Sequence, residues 1–184
     1  MDKADTTWPF CVWDPLVLLI HWCLALSVSV AYRSANQWED LHAWAGGATA
    51  ALIAVRLAWG FIGTPYARFS QFVRSPTIVL AYLRAVATGS EARHIGHNPA
   101  GGAMILFMMA AMTATALTGW LLTTDQFWGV SWMQHLHNWC AHGLLLLIGM
   151  HVAGVLLASF RHRENLMGSM IVGRKRAAAP GDVD

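Results

Sequence analysis

Four histidines, His21, His42, His137 and His151, sit inside apolar stretches of this 184-residue chain. An ionisable side chain at membrane depth is expensive and marks a functional position. His137 and His151 lie fourteen residues apart in one such stretch. A helix rising about 1.5 Å per residue separates them by roughly 21 Å, most of the hydrocarbon thickness. Turning about 100° per residue, it brings them back to within roughly 40° of one direction. One helix thus offers two imidazoles on one face, one near each membrane surface, and His21 and His42 come from two other segments. Two imidazoles on opposite faces of a haem saturate its iron, which suits electron transfer and leaves no open position for oxygen chemistry. Zinc wants its ligands clustered at one level, and two separated pairs do not supply that.

The elements that must position these residues are four apolar segments, at about 12–32, 41–62, 100–122 and 132–160. Each is long enough to span a bilayer. The chain is 56% hydrophobic and only 12% charged, which sets it apart from soluble domains, and several of its ten tryptophans flank the apolar runs as interfacial anchors do. No basic stripe points to nucleic acid. Asp14-Pro15 reads as an N-cap followed by proline at the first helical position, and Asn98-Pro99 breaks the chain before the third segment. Lys3 is outnumbered by Asp2, Asp5 and Asp14, so the first apolar segment reads as a retained helix and not a signal peptide. Residues 76–89 predict a short helix at the interface within a 63–99 loop. Residues 1–176 read as one membrane domain, and 177–184 as a flexible tail. The expected fold is an all-α membrane protein, a four-transmembrane-helix bundle with two haems stacked across the bilayer.

Positive charge predicts the orientation. Arg68, Arg74, Arg84 and Arg93 in the long loop, and Arg161, Arg163, Arg174, Lys175 and Arg176 near the end, face Arg33 alone on the other side. By the positive-inside rule both termini are cytoplasmic. Depth then pairs the histidines. His21 is eight residues past Trp13 and His151 nine before Phe160, an inner level; His42 is four past Trp38 and His137 five past Trp132, an outer level. Small residues nearby, Ala25, Gly46, Gly47 and Ala141, would admit a flat macrocycle or serve ordinary helix packing.

His135 and His142 share another face of the fourth segment, about 140–180° away from the first set, and helix geometry leaves open which set faces inward. His94, His97 and His162 lie in polar flanking sequence and read as solvated. Arg56 follows His42 by fourteen residues. It is placed either to pair with a haem propionate or to snorkel to the cytoplasmic interface. Proton-handling groups for a quinone are Arg33, Glu39 and Asp40 on the outer side, or the Arg56/Arg68 region on the inner one. Cys11, Cys23 and Cys140 form no metal or haem-attachment motif.

The motifs WDPLVLLIHW (13–22), LHAWAGG (41–47), RLAWGFIG (56–63), GHNPAGG (96–102), HNWCAHGLLLLIGMHVAGVL (137–156) and HRENLMGSMIVGRKR (162–176) occur in this order. Through them the chain resembles the bacterial cytochrome b561 / nickel–iron hydrogenase b-type cytochrome family over nearly its whole length. The resemblance implies axial ligands at His21, His42, His137 and His151, two haem b groups, and exchange of electrons with the quinone pool of the bacterial inner membrane. It also implies a redox partner, either a periplasmic c-type cytochrome or a hydrogenase-like subunit for which this chain is the membrane anchor. The outer loop, about ten residues from Thr123 to Trp132, is shorter than hydrogenase-linked members often carry. A homodimer is compatible with the reading.

Overall fold

The structure, a computed structural model, describes residues 10–11, 13–176 and 181–183; the expected first position of the opening segment, residue 12, and most of the 177–184 tail lie outside them. Four long helices form the bundle: α1 (Pro15–Ser34), α2 (Glu39–Ile62), α5 (Pro99–Leu122) and α6 (Ser131–Arg161). All four are long and apolar enough to cross a membrane. Between α2 and α5 come α3 (Phe69–Phe72) and α4 (Pro76–Thr88), and after α6 comes α7 (Leu166–Val172). Two short strands, β1 (Phe10–Cys11) and β2 (Arg174–Lys175), pair antiparallel.

The helices begin where the sequence supplies caps. Asp14 accepts hydrogen bonds from the backbone N–H groups of Leu16 (2.8 Å) and Val17 (3.2 Å), and Pro15 fills a position whose N–H would be unpaired anyway. α1 therefore starts at Pro15. Asn98 does the same for α5, accepting from Gly101 N–H at 2.7 Å, with Pro99 next. α4 ends at Gly89, whose φ of 72° suits glycine.

Packing is unequal around the bundle. α1 packs on α2, α2 on α5 and α5 on α6, while α6 forms no comparable seam with α1 or α2. The buried core is small and lies along the closed seams: Ile53 from α2, Met109 and Met112 from α5, Leu144 from α6. Leu26, Phe61, Trp120 and Leu146 are among the many large apolar side chains left outside, which is the surface a lipid bilayer covers.

On the side where the described chain begins and ends, polar segments fold back under the bundle. Trp13 N–H donates to Gly173 O (3.3 Å) and its indole to Ser169 Oγ (3.3 Å). The indole of Trp22 donates to Met170 O at 2.8 Å. Asp14 also accepts from Trp59 Nε1 (3.2 Å) and Thr64 Oγ1 (2.8 Å). Arg93 pairs with Glu164 at 2.9 Å and with Asp182, and Val183 N–H donates to Arg93 O at 2.8 Å. Gly102 lets the α3 segment approach, since a Cβ there would stand 2.4 Å from Phe72 O.

This closure corrects one expectation. His97 is not solvated: its ring packs edge-on to Trp13 (centroids 4.7 Å) and beside Phe72 (5.0 Å). Burial between those rings, with Lys175 and Arg56 as neighbouring cations, pushes it from 6.5 down to about 3. The unfolded chain then takes up a proton below about pH 6.5 that the folded one refuses until about 3. His97 therefore contributes stability that is full above pH 6.5 and lost as pH falls. Burial raises the Asp14 carboxyl, but its hydrogen bonds from Thr64, Val17, Trp59 and Leu16 outweigh that and hold it below the usual value, so its contribution is lost at lower pH still. His97→Phe should flatten the fall of the thermal midpoint between pH 6.5 and 3, measured in detergent. An unchanged acid slope would show that His97 is not its source.

Candidate functional site

α6 lies across an open slot from α1 and α2, and histidines face each other across it at two levels. His21 of α1 and His151 of α6 have ring centroids 6.4 Å apart, planes at 56°. His42 of α2 and His137 of α6 have centroids 6.0 Å apart, planes at 89°. The first pair lies on the termini side of the bundle and the second on the far side, near the α1–α2 and α5–α6 turns. All four rings are half-buried, whereas His135 and His142 are exposed on α6. The question helix geometry left open is thereby answered: His137 and His151 face the slot.

The far-side rings are held by their Nδ1 atoms. His42 Nδ1 lies 2.8 Å from Ala31 O and His137 Nδ1 3.1 Å from Thr115 O. A carbonyl only accepts, so each Nδ1 carries the proton and each Nε2 keeps its lone pair. Ala31 O belongs to the last turn of α1, where carbonyls lack helical partners. Thr115 O is mid-helix, and reaching it from the side needs space. A helical side chain covers the turn N-terminal to its own Cα. Residue 119, which overlies Thr115 in this way, is glycine, and a Cβ on it would stand 3.1 Å from His137 Cε1. Thr118 Oγ1, 3.1 Å away, accepts a second branch of the same bond while donating to Ala114 O and Thr115 O. Neither Gly119 nor these carbonyls carries a sequence signal of its own. No ring hydrogen bond holds His21 or His151 among the described residues.

Arg56, fourteen residues down α2 from His42, comes to the level of His151, because α2 and α6 run the same way. It does not snorkel. It is 6% exposed, covered by the rings of Phe69 (5.7 Å) and Phe72 (6.0 Å), with Asp14 near enough to act on it electrostatically. Its Nη1 is buried with no hydrogen-bond partner among the described residues. Glu39 and Asp40 sit exposed in the first turn of α2, and Arg68 Nε donates to Gly63 O at 2.7 Å.

The slot can be tested against a bis-imidazole metal group. Two ring nitrogens on opposite sides of one ion, each about 2 Å from it, put their ring centroids about 6 Å apart. Both gaps have that width. A Cβ at Gly46 or Gly47, one turn beyond His42, would meet nothing within 4 Å, so these glycines do not serve a close helix seam and leave open space instead. No cluster of three or more His, Cys, Asp or Glu suited to a metal ion occurs among the described residues. The donor set fits haem.

The family model for prokaryotic cytochrome b561 matches residues 12–173. The chain belongs to that family. No curated protein and no solved structure matches it. It is accordingly a membrane b-type cytochrome, binding haem b and carrying electrons across a prokaryotic membrane.

A buried cation without a partner costs several kcal/mol, and an apolar side chain of similar volume removes that cost. In the haem-free protein, Arg56→Met should raise the thermal midpoint. In the haem-loaded protein it should lower the midpoint if a bound anion completes Arg56. A rise in both forms would show that Arg56 meets no such group.

Proposed function

We propose that His21 with His151, and His42 with His137, are the axial ligands of two haem b groups, the first pair on the cytoplasmic side and the second on the outer side. The observation that carries this is the pair of facing imidazoles at 6.4 and 6.0 Å, about 21 Å apart along α6. The haems supply one-electron chemistry at iron that never needs an open coordination position.

The chain's own residues do the rest. Ala31 O and Thr115 O hold Nδ1–H of His42 and His137, which fixes the tautomer, aims Nε2 into the slot and makes the ring a stronger donor. Gly119 keeps the path to Thr115 O clear. Arg56, beneath Phe69 and Phe72, offers a desolvated guanidinium to a propionate at the inner level. The apolar faces of α1, α2, α5 and α6 keep water from the slot.

The physiological reaction on this reading is electron exchange between membrane quinone and a redox partner on the outer side, a c-type cytochrome or a hydrogenase-like subunit. On this reading the chain lies in the inner membrane with both termini cytoplasmic, an orientation supported by the arginines of the 63–99 loop and the C-terminal segment.

The reduced-minus-oxidised visible spectrum of the purified protein, with a haem-to-chain ratio, tests the assignment. Two low-spin b haems per chain are expected. His151→Ala and His42→Ala should each leave one, and His142→Ala should keep both. Gly119→Val should weaken only the outer haem, by crowding His137. Two haems retained in either axial variant would overturn the pairing.

A further inference from the structure

Arg163 is the one non-glycine residue with positive φ among the described residues, at 48°. It follows His162, the C-cap of α6. Its N–H reaches Phe160 O (3.4 Å) and the N–H of Glu164 reaches Ser159 O (3.1 Å), the doubled bond of a Schellman turn. Glycine is the favoured residue at that position because it has no Cβ to strain. Local strain that persists in a fold points to a side chain with a task.

Arg163 lines a recess of about 450 Å³ between the α6–α7 turn, α7 and β2. Arg163, Arg174 and Arg176 line it. Its carboxylate, Glu164, is already engaged by Arg93 and by the N–H of Arg176. Lys175 is turned away to Ile95 O and Gly96 O. Arg161 is bound to Glu91. Arg163, Arg174 and Arg176 are exposed and their side chains make no hydrogen bond or ion pair among the described residues. Three arginines without a side-chain partner among the described residues therefore line one concavity. Val172 lines it too, and Phe160 near the end of α6 and Ile171 near the end of α7 are both exposed.

We propose that this elbow binds an anionic phospholipid, its phosphate held by Arg163, Arg174 and Arg176 and its acyl chains lying along Phe160, Ile171 and Val172. A multiply charged basic recess selects phosphate, and the apolar side chains beside it select a phosphate that carries hydrocarbon. A soluble anion would use only the first half of the site. The strained turn is then the means of placing one of the three guanidiniums at the junction of charge and hydrocarbon.

The test is native mass spectrometry of the haem-loaded protein with phosphatidylglycerol, phosphatidylcholine or inorganic phosphate as probe. Phosphatidylglycerol should be retained more tightly than phosphatidylcholine, on the order of a hundredfold for three basic contacts. Millimolar phosphate should not displace it. Arg163→Gly alone should reduce the preference several-fold while leaving the thermal midpoint equal or higher, because glycine relieves the turn. Arg163→Gly with Arg174→Gln and Arg176→Gln should abolish it, with haem content and the visible spectrum unchanged. Equal retention of the two lipids, full preference in the triple variant, or displacement by inorganic phosphate would each overturn the proposal. None of these readouts depends on which histidines hold the haems.

Discussion

Lipid gives helices no hydrophobic reason to close into a ring, because hydrocarbon tails solvate an apolar helix face as well as a neighbouring helix does. This bundle closes three of its seams by direct packing, α1 on α2, α2 on α5 and α5 on α6, and leaves the fourth open. What crosses the open side are two pairs of imidazoles. The buried core follows the same division, with Ile53, Met109, Met112 and Leu144 all on the packed side. A cofactor in the slot would therefore act as packing as well as chemistry, filling volume that α1, α2 and α6 do not fill themselves.

The two levels of the slot are held differently, and this follows from how helices end and where glycine stands. The far-side pair has Ala31 O, freed by the end of α1, and Thr115 O, uncovered by Gly119. Both rings there are oriented by hydrogen bonds from within the protein. His21 and His151 have no such bond among the described residues, and the His21 ring instead packs edge-on to Trp22 at 5.4 Å between centroids. Preorganised ligands lose less freedom on binding, and a hydrogen-bonded Nδ1–H raises the donor strength of Nε2.

Depth along a helix is a one-dimensional quantity, and that is why the pairing of levels was legible in the sequence. Residue counts from Trp13, Trp38, Trp132 and Phe160 place the four histidines, and the same counts bring Arg56 to the His151 level. Rotation about α6 was not legible. Apolar residues surround that helix on every side, so no polar stripe distinguishes the face of His137 and His151 from that of His135 and His142. Nor was the fate of His97 and Arg56. Both depend on the polar stretches around residues 63–75 and 162–176 folding back under the bundle, and polar stretches read as solvent-facing loops. The Cβ-free approach of Phe72 O at Gly102, and the Asp14 bonds to Trp59 and Thr64, are long-range contacts with no local periodicity to announce them.

The folded-back layer also gives weight to Arg56. Buried charge survives when it is paired, and almost every buried charge here is. Arg93 has Glu164 and Asp182; Lys175 has two carbonyls and the face of Trp13; Asp14 has four donors. Arg56 alone among these cations keeps a buried nitrogen unpartnered. Phe69 and Phe72 cover it, which removes water as the substitute partner. On the proposed haem assignment, a propionate at the level of His21 and His151 would complete the guanidinium.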